Sequence, residues 1–253
     1  MKVSQSQVRC YKACRRLYYL QYVEGLVCNK EVESLETGKS YHSKLEQLYK
    51  DGYFEYTDPK IDAMAFAYEK YIYPQFKVKD AEQWFDVKLN EKHSLVGRVD
   101  GVAEDGLLVE HKTTSNEVGD EYLYNLQWDE QILAYMLANN VNEMYYTICK
   151  KPTIRQKQNE TEEEYFDRCC QWYAEDTEHK IAVFKVQRNK EEIAKYKEQL
   201  IATIDEMESC KLFYNNTNNC TCYGRRCLFE QICLDYDPQL EYVDFSKTKE
   251  RRN

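Results

Sequence analysis

The stretch "GRVDGVAEDGLLVEHKTT", Gly97–Thr114, decides how this chain is read. Two short apolar runs flank an acidic turn, which predicts a β-hairpin. An aspartate, a glutamate and a lysine interrupt the runs. If Glu104, Asp105 and Gly106 form a three-residue loop, Gly106 supplies the left-handed backbone that such loops need. Ala103 then faces Leu107, and Asp100 faces Glu110. Side chains alternate along a strand, so Asp100, Glu110 and Lys112 converge on one face, with Val99, Val109 and His111 on the other. A two-residue loop would put Asp100 on the wrong face, so the reading depends on register. Two carboxylates this close repel unless a positive charge sits between them. Oxygen ligands of this kind suit Mg²⁺ or Mn²⁺. A lysine beside them can polarise a water or stabilise a charged phosphorane-like transition state. The competing reading is a solvated hairpin carrying an acid–lysine surface pair.

Outward from the hairpin, the periodicity predicts helices over 4–23 (capped by Ser4 or Ser6), 37–50 and 61–73, the last stopping at Pro74. Strands are expected near 83–91, 94–103 and 107–112. A long helix follows over 121–139, then a strand over 143–150, a helix over 161–176, a strand over 181–188 and a charged helix over 190–209. After residue 210 the chain is cysteine-rich and expected to be irregular. This order fits one α/β domain spanning 1–253 with helical additions. "GKS" at 38–40 looks like the end of a phosphate-binding loop, but the pattern needs a glycine where Glu33 stands. Gly38 is instead expected to help start its helix.

Composition narrows the classes. Hydrophobic residues make up 43% of the 253, enough for a sizeable core, so global disorder is excluded. A net charge of −9 argues against a simple electrostatic nucleic-acid binder, though not against an enzyme whose acidic site is neutralised by metal ions. No secretory signal and no membrane-length apolar run is present, which points to a soluble cytoplasmic protein without membrane contact. Its 11 cysteines are then expected to be thiols or metal ligands rather than disulfides.

With its neighbours, the hairpin resembles a known family. Asp100 with Glu110-His111-Lys112 resembles the signature of the PD-(D/E)XK nucleases. "GKSYHSKLEQL" around His42 resembles the histidine-bearing helix of their RecB-like branch. "QILAY", with Gln131 and Tyr135, resembles that branch's QxxxY motif, and "SQSQVRCYKACRRLYY" its N-terminal segment. The resemblance implies a core of mixed central sheet flanked by helices. It implies a divalent metal, Mg²⁺ or Mn²⁺, held by His42, Asp100, Glu110 and the His111 carbonyl. It further implies a water-orienting or activating Lys112, and Gln131 and Tyr135 positioning DNA or the lysine. The implied activity is metal-dependent DNA hydrolysis, as an exonuclease on DNA ends or single strands. The alternatives are a nuclease subunit working with recombination, replication or CRISPR proteins, and a non-catalytic metal-bearing module that binds nucleic acid or a partner. Glu46, one turn past His42, is read as a solvated helix residue. Basic spots at Arg15–Arg16, Lys150–Lys151, Arg225–Arg226 and Arg251–Arg252 are candidate phosphate contacts.

Thiolates favour zinc or an iron–sulfur cluster. Iron–sulfur members of the RecB-like branch use one cysteine near the N-terminus and three near the C-terminus. The resemblance therefore implies a [4Fe–4S] cluster on Cys14, Cys220, Cys227 and Cys233, joining segments 1–36 and 210–240. Between the close neighbours Cys220 and Cys222 the choice falls on Cys220, which leaves Tyr223-Gly224 to turn the chain toward Cys227. Cys28, Cys149, Cys169, Cys170 and Cys210 are expected to be packing or surface thiols.

Overall fold

A computed structural model describes residues 1–29, 33–221, 226–235 and 245–247. The elements, in chain order, are β1 (Lys2–Ser4), α1 (Gln5–Ala13), α2 (Arg15–Tyr18) running into a π-helical turn (Tyr19–Val23), β2 (Leu26–Cys28), α3 (Glu33–Asp51), α4 (Pro59–Tyr71), β3 (Val78–Lys88), β4 (Ser94–Ala103), β5 (Leu108–Thr114), α5 (Asp120–Leu126), α6 (Glu130–Asn139), β6 (Glu143–Lys150), α7 (Glu162–Glu175), β7 (Ile181–Gln187), α8 (Lys190–Ser209), α9 (Glu230–Asp235) and β8 (Phe245–Lys247). They form two compact units. One comprises 1–32, 86–97 and 195–253, the other 33–85 and 98–194. Strands β3 and β4 contribute residues to both.

In the larger unit, β4 and β5 pair antiparallel, β5 and β6 parallel, and β6 and β7 antiparallel. β3 also pairs with β4. Leu108, Met144, Tyr146 and Ile148 pack with Ile132, Tyr135 and Met136 of α6. Val109 and Cys149, on the opposite face, pack with Tyr41, Leu45, Met64, Tyr68 and Tyr173 of α3, α4 and α7. The mixed sheet thus lies between helical layers. Most of β6 is buried on both faces, which is why it reads as a near-continuous apolar run. In the smaller unit β1 pairs parallel with Ser94–Val96, and β2 pairs antiparallel with β8. Ser4 caps α1 through a reciprocal capping box with Gln7.

Four expectations need correction. The helix expected over 121–139 is two helices. It breaks at Gln127-Trp128-Asp129, where the Asp129 side chain accepts the Gln131 N–H and caps α6. The segment 4–23 is also broken, at Cys14, whose extended backbone (φ −160°, ψ 116°) separates α1 from α2. Gly38 lies inside α3 rather than opening it. Its nearest side-chain neighbour is Thr113 Oγ1, 3.6 Å from where a Cβ would stand, an ordinary contact. Finally, β1, β2, α9 and β8 occupy segments where no such element was expected. Three of these are three-residue strands defined by partners distant in sequence.

Candidate active site

The Gly97–Thr114 hairpin has the three-residue loop. Gly101 pairs with Val109 and Val102 with Leu108, and the Ala103 N–H donates to the Leu107 carbonyl at 2.8 Å. Gly106 sits at φ +85°, where a Cβ would be strained. In an uninterrupted antiparallel ladder the His111 N–H would go to the strand opposite. Instead it donates to Asp100 Oδ2 at 2.8 Å. The side chain displaces a backbone partner, and strict alternation breaks there. Val99 packs with Leu108 and Tyr135, not with Val109 as the alternation predicts.

Asp100, Glu110 and Lys112 do come together. Lys112 Nζ forms an ion pair with Glu110 Oε1 and donates to Gln131 Oε1 at 2.8 Å. Gln131 Nε2 donates to the Tyr135 hydroxyl at 2.6 Å, and that hydroxyl donates to the Arg98 carbonyl at 2.9 Å. Gln131 and Tyr135, four residues apart on α6, share a helix face and form one chain of hydrogen bonds ending at the lysine. From α3, His42 Nδ1 lies 3.4 Å from Asp100 Oδ1. The His111 ring is turned into the core. Nε2 meets the Tyr49 hydroxyl at 2.8 Å and Nδ1 meets Thr147 Oγ1 at 2.6 Å. Its imidazole is therefore occupied within the core. Glu46 pairs with Lys50 along α3.

The electrostatics follow from burial. Desolvation, reinforced by the charge of Asp100 and only partly offset by Lys112, pushes Glu110 up to about 8. Burial acts the same way on Asp100, but the His42 hydrogen bond and the charges of His42, His111 and Lys112 outweigh it and hold that carboxyl below its usual range. Burial disfavours charge on Lys112, yet Glu110 and Asp100 raise it above an ordinary lysine, so it stays an ammonium. His42 is likewise raised by Asp100 and Glu110 against its burial. Burial drives His111 down to about 3, leaving it neutral.

Among the described residues, Glu110 Oε2 is buried and has no hydrogen-bond partner. An orphaned carboxylate oxygen beside a second carboxylate is costly in a metal-free protein. It fits a divalent cation held by Asp100 and Glu110, a hard oxygen set suited to Mg²⁺ or Mn²⁺.

In the smaller unit, Cys14, Cys220, Cys227 and Cys233 line one small cavity with Leu17 and Phe229. Cys14 stands in the break between α1 and α2, and its Sγ accepts the Asn216 N–H at 3.3 Å. The side-chain amides of Asn216 and Asn219 donate to the Ala13 carbonyl, docking the tail against that break. Burial raises the Cys227 and Cys233 thiols above the ordinary value. Four thiols around one cavity are a donor set that fits a thiophilic centre. Cys222 lies outside the described residues. Of the basic spots, Arg15 pairs with Glu206 and Lys150 pairs with Glu117 at 3.2 Å, so these two are occupied internally. Arg225, Arg251 and Arg252 lie outside the described residues.

Sequence reasoning missed Asp129, which caps α6 and so orients Gln131. It also missed the Arg98 carbonyl that anchors Tyr135. The aspartate before "EQIL" is a cap signal, masked by apolar periodicity that runs straight through it. Nothing in the sequence marks a backbone carbonyl.

The solved structures similar to this chain include that of SSO0001, at 14% identity over 92% of this chain and 86% of that one, with a TM-score of 0.47. An alkaline exonuclease from Laribacter hongkongensis matches at 13% identity over 82% and 88%, with a TM-score of 0.40. A phage-related exonuclease from Haemophilus somnus 129PT matches at 14% over 67% and 79%, with a TM-score of 0.36. At these scores the likenesses fix neither fold nor chemistry. Among curated proteins, none matches the chain significantly. Residues 2–91 match the sequence model of the PD-(D/E)XK nuclease superfamily, a segment that contains His42 but ends before the charged hairpin. The match covers about a third of the chain and is a likeness over that segment alone.

Proposed function

We propose that this protein is a divalent-metal-dependent deoxyribonuclease that hydrolyses phosphodiester bonds, working from DNA ends or on single strands. The observation that carries the reading is the buried, unpartnered Glu110 Oε2 next to Asp100, with Lys112 held beside it. Asp100 and Glu110 would hold the cation, with His42 and the His111 carbonyl as the further ligands that the resemblance implies. When bound, the cation supplies Lewis-acid polarisation of the scissile phosphate and acidifies a bound water. The chain's own residues do the rest. Lys112 spends donors on Glu110 and Gln131, and a third remains for a water or a phosphate oxygen. Lys112 would orient or activate the nucleophilic water and stabilise the negative charge of the transition state. Gln131, steadied by Tyr135, fixes where that ammonium points. Preference for ends rests on the sequence resemblance to the RecB-like branch.

The same reading assigns a [4Fe–4S] cluster to Cys14, Cys220, Cys227 and Cys233, supported by their shared cavity. Its role is structural, tying α1 and α2 to the tail. Protein purified without oxygen should be brown, and stoichiometric zinc without iron would replace the cluster with a zinc site.

The test of the catalytic reading is cleavage of end-labelled linear DNA and closed circular DNA, with and without Mn²⁺. The expected result is Mn²⁺-dependent loss of linear DNA, sparing of circular duplex, and no cleavage by Asp100→Ala. Full cleavage by a folded Asp100→Ala protein would overturn the assignment.

A further inference from the structure

Trp84 on β3 is 72% exposed, an unusual placement for the largest side chain, although a single exposed apolar residue is ordinary. What sets Trp84 apart is how it is held. The Arg98 guanidinium lies 5.4 Å from its ring centroid, covering one face. Arg98 is in turn fixed by Glu82, Oε2 to Nη1 at 2.5 Å. Glu82 makes that bond from φ +52°, a left-handed conformation that is uncommon and costly for a residue with a Cβ. The next residue, Phe85, meets Tyr135 edge-on at 5.8 Å, which sets the direction of the strand and sends Trp84 to its other side. A strained glutamate, a pinned arginine and a tryptophan with one free face therefore form a single unit.

This unit is attached to the candidate active site. Arg98 precedes Asp100 by two residues on β4, about 7 Å along a strand. Its carbonyl receives the Tyr135 hydroxyl that begins the chain through Gln131 to Lys112. Glu82 also lies close enough to α3 for its charge to act on Lys50, two turns beyond His42. An aromatic face next to a guanidinium, opening beside a phosphate-processing centre, suits a nucleobase. The ring stacks on any base, and the arginine attracts the adjoining backbone. A paired base presents its faces to its stacked neighbours, so the base that fits is an unpaired one.

We propose that Trp84, backed by Arg98, is a stacking platform for an unpaired base of the strand being cut, and so favours single-stranded or frayed substrate. The proposal rests on the nuclease reading above. It is tested with the full chain carrying Lys112→Met to arrest cleavage, in Mn²⁺, by the fluorescence anisotropy of a labelled single-stranded oligonucleotide. Trp84→Ala should weaken binding roughly 5- to 150-fold, the range that loss of one stacked base produces. Trp84→Phe should retain most of the affinity. An abasic position moved along the oligonucleotide should, at one location, weaken the Trp84 protein by the same factor and leave the Trp84→Ala protein unchanged. Affinities within twofold for Trp84 and Trp84→Ala would overturn the platform and leave the nuclease reading intact, as would an equal Trp84→Ala penalty at every abasic position. If the Trp84 protein binds no oligonucleotide at all, the nuclease reading falls and the platform with it.

Discussion

Replacing Gln131 with leucine removes the link between Lys112 and Tyr135 while keeping the side chain close to its original volume. Lys112 then loses the 2.8 Å bond to Gln131 Oε1 but keeps its ion pair with Glu110, so its charge is retained and only its direction is freed. The Tyr135 hydroxyl keeps its 2.9 Å bond to the Arg98 carbonyl, so that donor is not stranded. A hydrogen bond to a charged group contributes about 1.5–3 kcal/mol. If that bond fixes the ammonium where negative charge develops, its loss appears in the barrier, and kcat falls roughly 10- to 150-fold. Because Gln131 is not assigned to the cation, Mn²⁺ affinity should stay within about twofold of the parent protein. The assay is steady-state cleavage of a single-stranded oligonucleotide at saturating Mn²⁺, beside a calorimetric Mn²⁺ titration of the same preparations. A Gln131→Leu protein with unchanged kcat would refute the positioning role. A kcat loss that more Mn²⁺ restores would show that Gln131 serves the cation and not the lysine.

Other predictions follow from the same geometry. His42→Ala should weaken Mn²⁺ binding roughly 10- to 100-fold, measured by titration, and an unchanged affinity would return His42 to a plain partner of Asp100. Gly106→Ala forces a Cβ into φ +85° and should cost about 1 kcal/mol or more, lowering the Tm without altering Mn²⁺ affinity. An unchanged Tm would mean the turn relaxes. Cys14→Ser should lose the brown colour of anaerobic protein and lower the Tm, whereas Cys222→Ser should keep both. A colourless Cys222→Ser beside a brown Cys220→Ser would exchange the two ligands.

The hairpin was legible because Gly106 suits a three-residue loop, although a two-residue loop stayed open, and because strand alternation alone brings Glu110 and Lys112 to one face. The detail at Asp100 was not legible. Alternation assumes that backbone groups pair with backbone groups, and here a carboxylate takes the His111 N–H. Placing Gln131 and Tyr135 four apart needed only helical spacing, so their contact survives the misread break at Gln127-Trp128-Asp129. That break carries no glycine or proline, and the apolar repeat continues across it. Strand β1 is three residues long and is defined by Ser94–Val96, some ninety residues away, so no local pattern reveals it. The shared cavity of Cys14 with Cys220, Cys227 and Cys233 joins residues about two hundred positions apart. Only the resemblance suggested it, since spacing in the tail left Cys220 and Cys222 unresolved.

The central claim is that Asp100 and Glu110 hold a catalytic cation, and Glu110→Gln tests it most directly. The substitution keeps the shape of the side chain and removes the charge at the orphaned Oε2 position. Mn²⁺ binding and DNA cleavage should be measured on the same folded preparation. The account predicts that the parent protein binds Mn²⁺ and cleaves DNA, and that Glu110→Gln loses cleavage and most of the Mn²⁺ affinity. Glu110→Gln protein that cleaves DNA at the parent rate with unchanged Mn²⁺ affinity would contradict it.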